Sequence, residues 1–139
     1  MQPLMTETEL ATYLDEVFPE MKGKFVIEEV SPMFARVRRR VTPDDLRPGG
    51  TVSGPTMFSL ADCAFYAVTL AMIGRQALAV TTSCAINFMR KPEPRDLTCE
   101  ARILKLGRAL AVGDCTIFSP GVEGPVAHAT LTYSIPPAR

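Results

Sequence analysis

From Thr51 to Gly74 the chain carries one charged side chain, Asp62, in a run otherwise made of apolar, small and hydroxyl residues. Taking a carboxylate out of water without a partner is costly, so a solitary acid in such a run needs either a hydrogen-bonding partner or a task. The tasks open to a carboxylate are to take a proton from water or to attack an electrophilic carbon itself. Ahead of it stands Ser53-Gly54-Pro55, which reads as the start of a helix. Ser53 and Thr56 are capping types, and proline suits the first turn because its missing N–H would have had no partner there. The first N–H groups of a helix lack intrahelical acceptors and sit at the positive end of its dipole, so they favour an oxygen on which negative charge develops.

The remaining reactive side chains point to less. Cys63, Cys84, Cys99 and Cys115 are scattered, with no Cys-x-x-Cys pair and a single histidine in the chain. That pattern signals neither a zinc site nor a disulfide framework, and it suits reduced thiols in a cytoplasmic protein. Cys63 adjoins Asp62, but side chains one residue apart on a helix point in different directions. His128, between Ala127 and Ala129, has no triad partner near it in sequence and reads as a structural or surface histidine. Arg36, Arg38 and Arg40 share one face of a strand and read as a solvated sheet face.

The elements that must hold Asp62 follow from periodicity. A helix is expected from about Pro55 to Ile73, stopped by Gly74, and because it is apolar nearly all round it should be buried on most sides. Its apolar core is about as long as a membrane span, but an acid near the middle costs about 2.5–3.5 kcal/mol on insertion scales, so the core of a folded domain is the better reading and no membrane partner is expected. Glu7 to Phe18 is a short amphipathic helix, capped by Thr6 and stopped by Pro19. Two strands joined at Ser31-Pro32 follow, then a loop over Thr42 to Gly50. Beyond Gly74 the period changes to two. Leu78, Val80, Thr82, Cys84, Ile86 and Phe88 fall on one face of a long strand, and Ala79, Thr81, Ser83, Ala85, Asn87 and Met89 on the other. Arg90-Lys91-Pro92-Glu93-Pro94 ends it. Strands over Leu97 to Leu106, Ala109 to Phe118 and Pro125 to Ile135 complete the chain, the first two joined by a tight hairpin at Gly107-Arg108. These connections are too short for crossover helices, so the sheet is antiparallel and must curl around the long helix.

The 139 residues suit a single domain, 1–139, and 47% hydrophobic with 22% charged residues is a globular composition. Fifteen basic residues balance fifteen acidic ones, which argues against a nucleic-acid binder working by bulk charge. The N-terminal residues lack the basic-then-apolar order of a signal peptide, so a cytoplasmic location is expected.

Over residues 44 to 135 the chain resembles the hotdog-fold acyl-CoA thioesterases of the phenylacetic-acid-degradation (PaaI-like) type. The resemblance is carried by the glycine-rich run Gly49-Gly50-Thr51-Val52-Ser53-Gly54, Leu60-Ala61-Asp62, Ile86-Asn87-Phe88-Met89-Arg90, Leu106-Gly107-Arg108, and Ala127-His128-Ala129-Thr130-Leu131-Thr132-Tyr133. It implies an α+β hotdog fold, a six-stranded antiparallel sheet wrapped around one long helix, here with a short N-terminal helix added. Homodimers and often homotetramers are implied too. In that family an acid on the central helix activates water or attacks the thioester carbonyl, and a backbone N–H at the helix start holds the carbonyl oxygen. Asp62 matches the acid, Gly54 the donor, and Thr81 a position where a Ser or Thr orients the nucleophile or its water.

Gly54 and Asp62 are eight positions apart, about 12 Å along a helix, so one chain cannot bring both to one carbonyl. Two antiparallel helices across a two-fold axis would. Many relatives have His-Gly-Gly where this chain has Ser53-Gly54-Pro55, and a residue such as Asn where it has Arg47. The expected function is hydrolysis of a small or medium acyl-CoA, aromatic acyl groups included, with Asp62, Gly54 and Thr81 catalytic. Ser53, Pro55, Phe58, Arg47, Phe65 and Tyr66 are expected near the substrate, with Arg90, Lys91 and Arg108 near the coenzyme A phosphates. No metal or cofactor is expected beyond the coenzyme A of the substrate. The alternative is a non-catalytic acyl-CoA or fatty-acyl binder. A dehydratase or isomerase would ordinarily want a His-Asp pair, and the only histidine lies far away on the last strand.

Overall fold

The computed structural model describes residues 1–137. Helix α1 is Glu7–Val17, and a reciprocal cap starts it: Thr6 Oγ1 accepts from the Glu9 N–H while Glu9 accepts from the Thr6 N–H. Strands β1 (Phe25–Ser31) and β2 (Phe34–Arg39) form a hairpin whose turn places Met33 at φ 60°. Then come helix α2 (Gly54–Ile73) and strands β3 (Val80–Phe88), β4 (Leu97–Leu106), β5 (Leu110–Phe118) and β6 (Ala127–Ser134). All six strands form one antiparallel sheet in the order β1-β2-β4-β5-β6-β3, with α2 lying in its concave face. The expected α+β hotdog architecture is therefore the observed one, with boundaries within a few residues.

Helix α2 behaves as its composition dictates. Ser53 caps it, Oγ accepting from the Thr56 N–H at 3.3 Å, and Gly74 ends it at φ 93°, a conformation that favours glycine. Its length and hydropathy would suffice to cross a membrane, but 72% of its most apolar window is buried within the fold, so that surface is already occupied. Leu60, Ala61, Ala64, Phe65 and Val68 are fully enclosed against Val37, Leu97, Ala101, Ile117 and Leu131 of the sheet. Gly113 makes room for Phe65, since a Cβ at that position would lie 2.7 Å from the ring.

Two features depart from the expected pattern. Strand β3 is not evenly alternating: a bulge between Thr81 and Ser83 inserts Thr82, which reverses the faces beyond it. Thr81, paired with Tyr133, therefore shares the inner side with Cys84 and Ile86 instead of with Ser83 and Ala85. The loop over Thr42 to Gly50 also contains an ordered 3-10 turn, Pro43–Asp45, that buries a charge pair. Asp45 Oδ1 accepts from Arg39 at 2.8 Å and from Thr56 Oγ1 at 3.1 Å; Oδ2 accepts from the Thr42 N–H at 2.8 Å. The Asp45 carbonyl accepts from the Ser53 N–H, also at 2.8 Å. This cluster fixes the first turn of α2. Arg36 and Arg38 do lie on a solvated face, tied to Glu28, Glu29 and Asp96.

Candidate active site

Asp62 sits in the middle of α2, half-buried, at the edge of a cavity of about 350 Å³ that Phe18, Cys63, Tyr66, Thr81 and Tyr133 also line. Its two carboxylate oxygens are treated differently. Oδ1 accepts from Thr81 Oγ1 at 2.6 Å and from Tyr133 Oη at 2.7 Å. Oδ2 accepts no hydrogen bond among the described residues. Two short hydroxyl contacts to one oxygen fix the orientation of the carboxylate and leave the other oxygen available. The bulge in β3 is what turns Thr81 inward, and the alternation of β6 is what brings Tyr133 to the same atom.

Tyr133 is the functional residue that the sequence reading missed. Burial, reinforced by the negative charge of Asp62, pushes its phenol well above the usual tyrosine range, so it stays protonated and donates. The signal was present: on the inward face Ala127, Ala129, Leu131 and Tyr133, a single hydroxyl must find an acceptor once buried. Cys63 lines the cavity too, but it makes no hydrogen bond to the Asp62 carboxylate, whose partners are Thr81 and Tyr133. Burial and Asp62 push its thiol up to about 12, so it is not a thiolate at neutral pH.

Gly54 occupies a different depression. It lines a second cavity of about 350 Å³ with Arg47, Val52, Met57, Phe88 and Arg90. Thr56 and Met57 direct their N–H groups to Ser53, Pro55 has none, and the Gly54 N–H, two positions before Thr56, has no intrahelical acceptor. The ring of Phe88 lies 3.4 Å from where a Gly54 side chain would begin.

The other expected site residues divide. Ser53 spends its hydroxyl on the cap and on Thr56 Oγ1 at 3.1 Å, and Pro55 is exposed on the first turn. Phe58 is exposed on α2 at the helical spacing that joins Gly54 to Asp62. Tyr66 lines the Asp62 cavity with its ring and anchors its hydroxyl to the Ala77 carbonyl at 2.7 Å. Phe65 is a correction: it is fully enclosed beneath Tyr133, ring centroids 5.4 Å apart, because position 65 faces the sheet and not the cavity. Arg108 is another. Arg90 and Lys91 line the Gly54 cavity at one end of the sheet, while Arg108, in the β4–β5 hairpin beside Leu110 and Ser134, lies at the opposite end. Within one chain these cations do not form a single rim. His128 pairs with Asp114 at 2.9 Å, on positions that alternate with the inward-facing residues, away from Asp62.

A long helix cradled by a curled antiparallel sheet, with an oriented acid on the helix, defines a class of acyl-thioester enzymes. The chain belongs to the thioesterase superfamily, whose family model matches residues 49–125; thioester hydrolysis is the activity of that class. A crystal structure of a candidate thioesterase from Silicibacter sp. TM1040 is 54% identical, with 99% of this chain and 96% of that one covered and a TM-score of 0.91. A mutant of the phenylacetic acid degradation protein PaaI from Thermus thermophilus is 27% identical, covering 85% and 99%, TM-score 0.73. Zebra fish thioesterase superfamily member 2, 17% identical with 95% and 99% covered, shares the fold at a TM-score of 0.82. No curated protein matches the chain.

Proposed function

We propose that the protein hydrolyses the thioester of a small or medium acyl-CoA, aromatic acyl groups included, at a site that two copies of the chain build together. The observation that carries this reading is the Asp62 carboxylate, with Oδ1 held by two hydroxyls and Oδ2 free at a cavity. Acting as general base, Asp62 takes a proton from water as the water oxygen bonds to the thioester carbon. Acting as nucleophile, it forms an acyl anhydride that water then opens. In either case the carbonyl electron pair moves onto oxygen, where the Gly54 N–H of a second copy stabilises it, and returns to expel the coenzyme A thiolate. Thr81 and Tyr133 hold Asp62 in place throughout.

The case for a second copy is geometric. Asp62 and Gly54 line separate cavities, and β3, with no proline or lysine in it, is an open edge of the sheet. Thr81 stands at the start of β3 beside Asp62, and Phe88 at its end beside Gly54. Antiparallel pairing of two β3 edges would set each Asp62 toward the other copy's Gly54 end, and would cover the exposed Phe58 and Val80. It would also bring the Arg90 and Lys91 end of one copy to the Arg108 end of the other, where they could meet the coenzyme A phosphates. Such dimers, or tetramers of them, would work in the cytoplasm, where acyl-CoA is found and the free thiols of this chain would stay reduced.

The test is turnover of an acyl-CoA panel, read by a thiol reagent. Asp62→Asn keeps the shape of the side chain but removes its basicity, and kcat should fall by about 10²–10⁴-fold with the fold intact. Turnover at the wild-type rate in that variant would remove the mechanism. Because Ser53 is committed to its cap where relatives carry His, a binding-only protein is the second reading. It predicts acyl-CoA retained without thiol release in the wild type.

A further inference from the structure

A further cavity is larger than the one beside Asp62. It measures about 500 Å³ and lies between α1, the β1–β2 hairpin and α2, with Ala11 and Leu14 above, Phe25, Ile27 and Val37 at the side, and Cys63 and Tyr66 below. The exposed Thr8, Thr12, Asp15, Lys22 and Arg40 also line it, so it is open to solvent on that side, while the size and the apolar remainder suit an apolar small-molecule group. Phe18, Cys63 and Tyr66 line both this cavity and the Asp62 cavity. The boundary between the two is therefore an aromatic pair, Phe18 and Tyr66, meeting edge to face with centroids 6.3 Å apart.

The roof over the inner cavity is attached at one end and light at the other. Near the start of α1 the Leu4 N–H bonds the Ala71 carbonyl at 2.7 Å, Glu7 accepts from the Val30 N–H at 2.9 Å, and Leu10 is fully buried. At its end Val17 and Phe18 are exposed, and Phe18 is held by the Tyr66 ring and by two backbone bonds, its N–H to the Leu14 carbonyl and its carbonyl accepting from the Met21 N–H.

We infer that the inner cavity is the acyl tunnel of the enzyme. A flexible straight-chain acyl group, its thioester at Asp62, passes Phe18 and Tyr66 and lodges its tail beneath α1. This inference rests on the acyl-thioester reading of the Asp62 site and narrows its substrate class from acyl groups in general to unbranched medium-length ones. The two rings are in contact, so the exposed Phe18 ring must swing aside; a thin flexible chain needs only a small displacement, whereas a rigid aromatic acyl group stops at the outer cavity. Phe18 and Tyr66 are then the residues that set specificity.

The experiment is calorimetric titration with S-alkyl coenzyme A thioethers of four, six, eight and ten carbons, which bind without reacting. In the wild type each added methylene that enters the tunnel should tighten binding about fourfold, up to the length that fills it. Ala11→Phe puts a ring into the tunnel, and the gain should end at a shorter chain. Phe18→Ala opens the constriction and should let an S-(2-phenylethyl) thioether bind about tenfold more tightly. An Ala11→Phe protein with the wild-type circular dichroism spectrum and an unchanged chain-length series would overturn the inference, as would a wild-type series with no dependence on length. Neither result touches hydrolysis. Conversely, a length series that shifts as expected in a protein that releases no thiol from any acyl-CoA upholds the tunnel and defeats the hydrolase reading alone.

Discussion

Asp62 accepts two hydroxyl donors on one oxygen, and the consequences belong to single side chains. Tyr133 touches the acid and not the substrate, so it is a positioning residue. Removing its hydroxyl as Tyr133→Phe should lower kcat about tenfold, the usual worth of one hydrogen bond to a charged group, with KM little changed. Steady-state kinetics check this, and a rise in KM with kcat intact would place the hydroxyl against the substrate instead. Burial, with the charge of Asp62 beside it, pushes the Cys63 thiol up to about 12, so at pH 8 it holds far less thiolate than an ordinary cysteine. Alkylation of Cys63 by iodoacetamide, followed by peptide mass spectrometry, should accordingly be at least about a hundredfold slower than that of free cysteine. Of these residues only Asp62 announced itself, because a charge in an apolar run is a contradiction visible in one dimension. Thr81 was legible only through the family resemblance, because it reaches the acid across a bulge, and Tyr133 was not legible, because it comes from the far end of the chain.

At the scale of elements, the positioning of the Gly54 N–H depends on the 3-10 turn before it. The buried Arg39–Asp45 pair, with Thr42 and Thr56, holds the start of α2 against β2. Burial alone would raise the Asp45 carboxyl, but the Thr42 N–H, the Arg39 charge and two hydroxyls outweigh it and hold it below the ordinary 3.8. The sign follows: a carboxyl depressed by folding lends its full stability above its unfolded value and loses it as the pH drops below about 3.8 toward the folded one. Asp45→Asn strands a buried guanidinium and should cost about 3–5 kcal/mol at neutral pH. Urea unfolding measures it, and the gap between the two proteins should narrow on acidification below pH 4. A constant gap would mean that the charge is not what stabilises the turn. The order and type of the elements could be read from hydrophobic period and capping residues because those are local. The Arg39–Asp45 pair could not, because strand alternation gave Arg39 an inward position without naming the acid that would meet it. The β3 bulge was equally hidden: Thr81-Thr82-Ser83 alternates as well with the extra residue as without it.

For the whole molecule, the account needs a second copy. One chain places its oriented acid and its free helix-start N–H in separate cavities, with an open strand edge running between them. The separation itself was legible, since eight positions on a helix are a length, whereas the surface that closes it depends on strand order. Subunit mixing tests this central claim most directly. Asp62→Asn removes the acid, and Gly54→Val crowds the approach to the N–H; each protein alone should be nearly inactive. After the two are unfolded together and refolded, half of the dimers carry one chain of each kind, and each of those holds one intact site. The account predicts recovery of about a quarter of wild-type acyl-CoA turnover. Mixed dimers that form, as native mass spectrometry would show, yet recover no activity would contradict it.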